Sequence, residues 1–477
     1  MTMWKIWLFA AGLALCWEFA RSRSRTRRVG LALVALALLA VQVVLDGAVW
    51  TLSPLYAVLT LGAALLLLRK EGPLPGIAGK LAWAGALLLM CLSGFLAYAL
   101  PVPTLPYPKG PYAVGTVTWE FDDASRKDPY APTPDQPRKI MLQAWYPATL
   151  TGNEKPAAWS KDITVFGPAI ATHFHLPTFL FDHLANFRSN SVENAPLKKE
   201  AAPWPVIVYS HGWTGFRTIA LDEVEALASQ GYVVFAPDHI YGALATVLKD
   251  GTPVLNNPKA MPPDQPRDAN RQAGIELLVD TYAGDLRFVL DTVEKMQAGT
   301  VDTPFKGALD LAKLGVFGHS TGGGAIYELA ATDARVKCAF GLDTWTEPIS
   351  QDVRDTPLTV PFFSLRSAQW ALNHDEKARI LAELLAKAKG PVYDQYLIDS
   401  KHADFTLMPL LSPFAGSLGM TGPINGNRAL EIGDAYLVAF FEQYLRGKDS
   451  PLLKPGSGTY AEVKPVEANV GTTAAAK

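Results

Sequence analysis

Four stretches near the N-terminus leave little choice of structure. Met3–Phe19, Val29–Leu45, Leu52–Leu68 and Leu81–Leu100 are apolar runs of 17 to 20 residues. A helix that crosses a bilayer needs about 20 such residues, with about 17 as the lower limit. Core helices of that length would keep a polar face, and these runs have almost none. They predict an all-α bundle of about four transmembrane helices over residues 1–100. The first run holds Lys5 and Glu18 and is the weakest of the four. A cleaved signal peptide would place its basic residues ahead of the apolar run; here "RSRSRTRR" (Arg21–Arg28) follows it. Arg69, Lys70 and Lys80 form a second basic group, on the same side if all four runs span. Positive loops stay in the cytoplasm, so both termini are expected outside it. In a bacterium this means a multi-pass inner-membrane protein whose soluble part faces the periplasm or outer medium. The lipid bilayer is its first expected partner.

The rest of the chain is ordinary in composition. Of 477 residues, 49% are apolar and 18% charged, and most of the apolar excess sits in those four runs. A net charge of −2, with no basic stripe beyond the N-terminal region, argues against a nucleic-acid partner. Cys16 and Cys91 lie inside apolar runs, which leaves Cys338 alone in the soluble part, unable to form an internal disulfide. No HExxH pattern or zinc cluster occurs, so neither a metal nor a cofactor is expected.

"PVPTLPYPKGP" (Pro101–Pro111) has five prolines in eleven residues. It cannot continue a helix and reads as a stiff linker. From Tyr112 the pattern changes. Ala113–Phe121 and Lys139–Pro147 read as an antiparallel strand pair. Trp204–Gly212, Tyr232–His239, Leu314–Ser320, Val336–Thr344, Val360–Ser367 and Tyr393–Ser400 read as strands. Helical patterns cover Thr218–Gln230, Arg271–Gln297, the stretch to Leu329, Lys377–Lys389 and Ala429–Arg446. Alternating strands and helices predict an α/β fold, a mostly parallel sheet with helices on both faces, over residues 112–450. Residues 451–477 are expected to be a disordered tail. Thr151–Pro203 and Tyr241–Asn270 lack a clear period, and either could form a lid.

One turn in this series carries chemistry. "GVFGHSTGGGAIYE" (Gly315–Glu328) joins a buried strand to a helix and holds five glycines. Gly318–His319–Ser320–Thr321–Gly322 fits G-x-S-x-G, the sharp elbow that exposes a nucleophilic serine at the carboxyl end of a strand. A serine hydroxyl needs a histidine base and a carboxylate to hold that base. The partners are expected after the serine, acid first and histidine last. Only His374 and His402 follow Ser320. His374, in the polar "ALNHDEK", reads as a surface residue; His402, just past the last predicted strand, reads as the base. Asp343 in "GLDTW" ends the strand after the elbow helix and is the leading acid. Asp399 is a rival but lies three residues from His402. Asp404 reads as a turn cap, and Asp238 precedes the serine and reads as a turn residue. The oxyanion hole would take the backbone N–H of Thr321 and one from "SHGWTGFR" (Ser210–Arg217), most simply that of Trp213. His211 and His319 read as structural.

Four of these segments, "YSHGWTGFRT", "GHSTGGG", "GLDTW" and "HADF", resemble in this order the plasma-type platelet-activating factor acetylhydrolases. These belong to the α/β-hydrolase superfamily. "GPYAVGTVTWEF" and "MLQAWYPA" resemble that family's opening strands. The resemblance spans roughly Gly110 to Leu445. It implies an α/β-hydrolase fold, with Ser320 as nucleophile, Asp343 as acid, His402 as base, and Trp213 and Thr321 as oxyanion donors. It also implies calcium-independent ester hydrolysis, often of phospholipids with short or oxidised acyl chains. The side chains at Trp213 and Thr321 depart from the family pattern, and the loop after His402 looks shortened. The apolar runs have no counterpart in the secreted members.

The sequence thus predicts a membrane-anchored serine esterase acting on ester or phospholipid substrates. The enzymatic rival is a general short-chain esterase of dienelactone-hydrolase or polyester-hydrolase type, although dienelactone hydrolases use cysteine at the elbow. A peptidase is a weaker rival. The rival of another class is an inactive binding or scaffold domain, which would have no reason to keep Ser320, Asp343 and His402 together.

Overall fold

The computed structural model describes residues 3–21, 24–68, 76–454 and 458–466. Residues 22–23, Arg69 and Lys70, which belong to the two basic groups, lie outside the described residues, as do 455–457 and 467–477 of the tail.

The four apolar runs form helices: α1 (Met3–Arg21), α2 (Arg25–Asp46), α3 (Ser53–Leu68) and α4 (Gly76–Ala99). Leu8, Leu15, Ala32, Leu55 and Leu59 are buried where these helices meet, while Val44, Leu61, Leu65 and Leu88 point outward and are exposed. Apolar side chains on both the inside and the outside of a bundle suit a lipid surrounding. Among the described residues three stretches are long and apolar enough to cross a membrane: Arg25–Asp46, Trp50–Leu68 and Gly79–Ala99. The expectation was about four. The first run is helical but carries Lys5 and Glu18, and Glu18 is buried.

From Ala113 to Pro465 the chain is built around a ten-stranded sheet in the order β12-β11-β10-β9-β8-β4-β5-β2-β1-β3. β1 (Ala113–Lys127) and β2 (Pro137–Ala148) pair antiparallel, and β3 (Val192–Glu193) lies beside β1. The central strands β4 (Trp204–Ser210), β5 (Val233–Asp238), β8 (Leu309–His319), β9 (Cys338–Leu342), β10 (Phe362–Ser367) and β11 (Val392–Leu397) run parallel. A separate hairpin, β6 (Ala245–Val247) with β7 (Pro253–Leu255), lies outside the sheet.

Continuous apolar sequence explains the sheet's burial. Every residue of β4, β5, β9 and β10 is buried, as parallel strands covered on both faces require. Successive side chains alternate between two cores. Val206, Val208, Phe235 and Val316 pack against α7 (Ala269–Ala298) and α8 (Thr321–Thr332). Ile207, Tyr209, Val234 and Phe317 pack against α6 (Leu221–Ser229) and the helix Gly426–Arg446.

Two regions differ from expectation. Thr151–Pro203 contains a helix, α5 (Ile163–His173), and a run of 3-10 turns over Thr178–Asn186. The tail is structured where it is described: β12 (Val463–Pro465) pairs antiparallel with β11, and Arg428 ion-pairs with Glu462. The proline-rich stretch lies along the sheet-bearing part, with Val102 and Leu105 packed on its core. The N-terminal helical region also touches the sheet-bearing part directly. Trp50 Nε1 donates to Leu180 O at 3.3 Å, Asn186 Nδ2 to Ala48 O at 3.2 Å, and Ser412 Oγ to Ala99 O at 2.7 Å.

Candidate active site

Ser320 stands between β8 and α8 at φ 56°, ψ −117°. A non-glycine residue with positive φ is strained and persists only when its surroundings hold it there. Here they do. Ser320 N donates to Leu342 O at 2.9 Å, and Ser320 O accepts from Gly324 N at 3.1 Å and Trp345 N at 3.0 Å. The flanking glycines are required by crowding. A Cβ on Gly318 would lie 2.5 Å from Gly322 O, and one on Gly322 would lie 2.1 Å from Ser210 O.

Asp343 follows β9 and is fully buried. Its Oδ2 lies 2.9 Å from His402 Nδ1 and accepts from Ser367 Oγ at 2.7 Å, while Oδ1 accepts from Ser367 N at 2.7 Å. Acceptance at Oδ2 places the imidazole proton on Nδ1 and leaves Nε2 as the basic nitrogen. The imidazole is further held by Trp370, whose ring stacks on it at 4.5 Å and 3°, and His402 N donates to Gln369 Oε1 at 3.0 Å. The His402 side chain is 32% exposed, so it can be reached. His402, Ser320, Trp213 and His319 line one cavity of about 280 Å³. Its remaining wall is largely apolar and includes Trp159, Ile170, Phe174, Met408 and Leu411. Residues from both unassigned stretches contribute, since Ile170 and Phe174 come from the first and Leu244 from the second.

Two of the rival acids have other work. Asp404 Oδ2 accepts from Lys401 N at 2.7 Å and Gly422 N at 2.6 Å, so it caps its turn, as read from the sequence. Asp238 accepts from Arg217 N at 2.7 Å, ion-pairs with the Arg217 guanidinium, and accepts from Thr246 Oγ1 at 3.2 Å. It anchors the loop after β4. Asp399 sits at φ 55°, and its carbonyl accepts from Ile424 N at 3.1 Å. His374 is exposed ahead of the helix Glu376–Lys387.

The loop after β4 reaches the serine. A Cβ on Gly212 would come within 3.0 Å of Ser320 Cβ. Among the described residues neither the Trp213 N–H nor the Thr321 N–H meets an acceptor. His211 is fully buried; its Nδ1 donates to Gly212 O at 2.7 Å and its Nε2 accepts from His239 N at 3.0 Å. Burial, then the neighbouring His239, holds the His211 ring far below the usual histidine range and so neutral. His319 is held down in the same way by burial and by His402; its Nε2 lies 3.2 Å from His402 O. Both behave as the structural histidines read from the sequence.

Beneath the loop lies a second serine–histidine–aspartate series that the sequence did not reveal. Ser210 Oγ is 2.9 Å from His239 Nε2, and His239 Nδ1 is 3.0 Å from Asp285 Oδ2. All three residues are 0% exposed, so no substrate reaches them. Asp285 is gripped by Arg138 at 2.6 Å and Arg126 at 2.8 Å, and Arg138 also holds Asp128 at 2.7 Å. Burial works against ionisation there, but the Arg138 charge and the His239 hydrogen bond keep the Asp285 carboxyl well below its ordinary range. This network braces the floor of the loop that carries Gly212 and Trp213.

Ser367, Trp370 and Gln369 were missed in the sequence. Only the position of Ser367, at the end of a buried strand, could have drawn attention to it. The arrangement offers a half-buried serine on the wall of an apolar cavity, a histidine fixed by a buried carboxylate, and two backbone donors on the loops beside them. That is the equipment for acyl transfer.

The family model described as platelet-activating factor acetylhydrolase, isoform II, matches residues 102–450. A platelet-activating factor acetylhydrolase of Gallus gallus is 24% identical over 375 residues, covering 72% of this chain and 83% of the relative. A probable 1-alkyl-2-acetylglycerophosphocholine esterase of Arthroderma benhamiae is 23% identical, covering 80% of this chain and 98% of the relative. Among solved structures, a ferulic acid esterase from Streptomyces cinnamoneus superposes with a TM-score of 0.60 at 26% identity, covering 78% of this chain and 100% of that one. The chain belongs to the isoform II family of platelet-activating factor acetylhydrolases, and its sheet is that of the α/β-hydrolases.

Proposed function

We propose that the chain is a membrane-anchored serine ester hydrolase that works through an acyl-enzyme. One observation carries the reading. His402, bonded to the buried Asp343 at 2.9 Å, lines the same small apolar cavity as Ser320, a serine at strained positive φ. His402 Nε2 takes the proton of Ser320 Oγ as the oxygen attacks the ester carbonyl. The oxyanion is met by the N–H groups of Trp213 and Thr321. His402 returns the proton to the leaving alcohol, and water releases the acid by the reverse path. Asp343 fixes the tautomer and stabilises the imidazolium.

The cavity of about 280 Å³ lies at the small end of ligand sites, which run from about 300 to 1,000 Å³. This supports short or oxidised acyl chains, and the family supports a phospholipid as their carrier. The ferulic acid esterase likeness favours a second reading, a general carboxylesterase acting on small aromatic esters. Placement of the soluble part outside the cytoplasm rests on the basic groups, and calcium independence on the family.

The test uses the full chain. Fluorophosphonate should label the wild type, and Ser320→Ala should abolish labelling and lower kcat by roughly 10⁴ or more. Hydrolysis of short-acyl phospholipids, p-nitrophenyl esters and feruloyl esters, with and without chelator, separates the two readings. Undiminished labelling of Ser320→Ala would remove the serine from its role.

A further inference from the structure

A second cavity is larger than the one that holds Ser320. It measures about 1000 Å³ and opens where the membrane helices meet the soluble part. One wall is the last turn of α4, with Gly94, Ala97 and Tyr98; the other is the segment after His402. The two walls are joined by the bond from Ser412 Oγ to Ala99 O at 2.7 Å and by Phe414, whose ring meets Tyr98 at 5.7 Å and Phe95 at 6.2 Å. A cavity at the end of a spanning helix, beside a tyrosine and a phenylalanine, lies at the depth of lipid head groups.

Its lining is chemically one-sided. Lys5 and Lys401 line it, and among the described residues no aspartate or glutamate does. Asp46, which interacts electrostatically with Lys5, is not part of the wall. Lys401 Nζ spends one donor on Gly419 O at 2.9 Å and keeps two more. Ser417 and Asn427 add uncharged polar groups, while Gly94, Ala97 and Leu410 keep one side apolar. Two ammonium groups, neutral polar groups and an apolar flank form the complement of a phosphodiester attached to acyl chains.

We propose that this junction cavity binds the phosphate of an anionic glycerophospholipid from the bilayer that holds the chain's own helices. The proposal rests on the membrane-anchored reading, but not on the assignment of Ser320. The site is distinct from the catalytic cavity and shares a wall with it. In the short helix Met408–Leu411, Met408 and Leu411 line the catalytic cavity and Pro409 and Leu410 the junction cavity.

The experiment is lipid retention by the full chain. The protein is exchanged into nanodiscs of phosphatidylcholine with a minor share of phosphatidylglycerol, released into mild detergent, and weighed by native mass spectrometry. A diazirine phosphatidylglycerol is cross-linked in parallel and its peptides mapped. The wild type should retain phosphatidylglycerol over phosphatidylcholine, with cross-links in residues 94–104 and 409–427. Lys5→Gln with Lys401→Gln should lower retention roughly tenfold or more, while the exposed-site control Lys389→Gln should not. Equal retention by the double variant, cross-links confined to other segments, or displacement by inorganic phosphate would each overturn the site. Should the double variant fail to fold, the wild-type cross-link map decides alone. Fluorophosphonate labelling of the same samples reads Ser320 separately, so failure of the lipid site and failure of the esterase reading are told apart.

Discussion

Asp343 and Asp404 lie near the same histidine but differ in what their oxygens do. Asp343 offers an oxygen to the imidazole, and Asp404 spends its Oδ2 on two backbone N–H groups. Asp343→Asn should therefore lower kcat by about 10²–10⁴ with little change in KM, since an amide cannot both hold the tautomer and stabilise the charged ring. Asp404→Asn and Asp399→Asn should leave kcat within severalfold, as a turn hydrogen bond is worth about 1 kcal/mol. Steady-state kinetics on folded variants decide it; a crippling Asp399→Asn with an active Asp343→Asn would move the acid to the last strand. The sequence alone favoured Asp343 because it ends the strand after the elbow helix, and set Asp399 lower because it lies only three residues from His402. It gave no sign of Ser367, because a serine ending a strand looks the same whether its hydroxyl meets water or the Asp343 carboxylate.

At the scale of elements, the strands and long helices were legible because burial on two faces imposes continuous apolar runs, and α-helical packing a 3.6 period. The stretch that supplies α5 was not. Phe166 and Ile170 of α5 are buried, but Pro168 lies within the helix, and 3-10 turns follow at Thr178–Asn186. Such a segment is held by tertiary contacts, including the ring of Phe166 against Phe216 at 4.9 Å, and keeps no steady period. The buried Asp285 network was equally hidden, since its members come from β1, β2, the end of β5 and α7. Its energetics are sharp. Asp285→Asn leaves Arg138 buried without its main counter-charge, a loss expected to cost about 3–5 kcal/mol. Urea denaturation should show this as a lower midpoint at unchanged slope, and an unchanged midpoint would mean that the network braces nothing.

Over the whole molecule, buried acids of opposite behaviour set the response to pH. Burial is the main cause that lifts the carboxyls of Glu225 and Glu328 to about 7. A folded-state value above the unfolded one, about 4.3, gives stability that is complete below pH 4 and is lost as pH rises through 7. Asp285 and Asp123 act the other way: they are held below their ordinary value, so their contribution exists above about pH 4 and is lost in acid. The thermal midpoint should therefore peak near pH 5 and fall toward pH 8. A midpoint that climbs steadily to pH 8 would contradict this.

β12 bears on how the protein can be cut. The family match stops at residue 450, which invites an engineer to trim there. Yet Val463–Pro465 occupies the free side of β11, with Leu397 opposite Val463. Tyr460 rests on Tyr436 at 6.0 Å, and Leu453 is buried. Trimming would bare a row of backbone donors and acceptors on β11, the kind of surface on which chains stack. A protein ended at Ser450 should keep its fluorophosphonate labelling when dilute and self-associate as its concentration rises. Light scattering against the full chain, both in the same detergent, would show it. On this reading the stretch that carries Tyr460 and Val463–Pro465 serves as a solubility tag that the chain carries for itself.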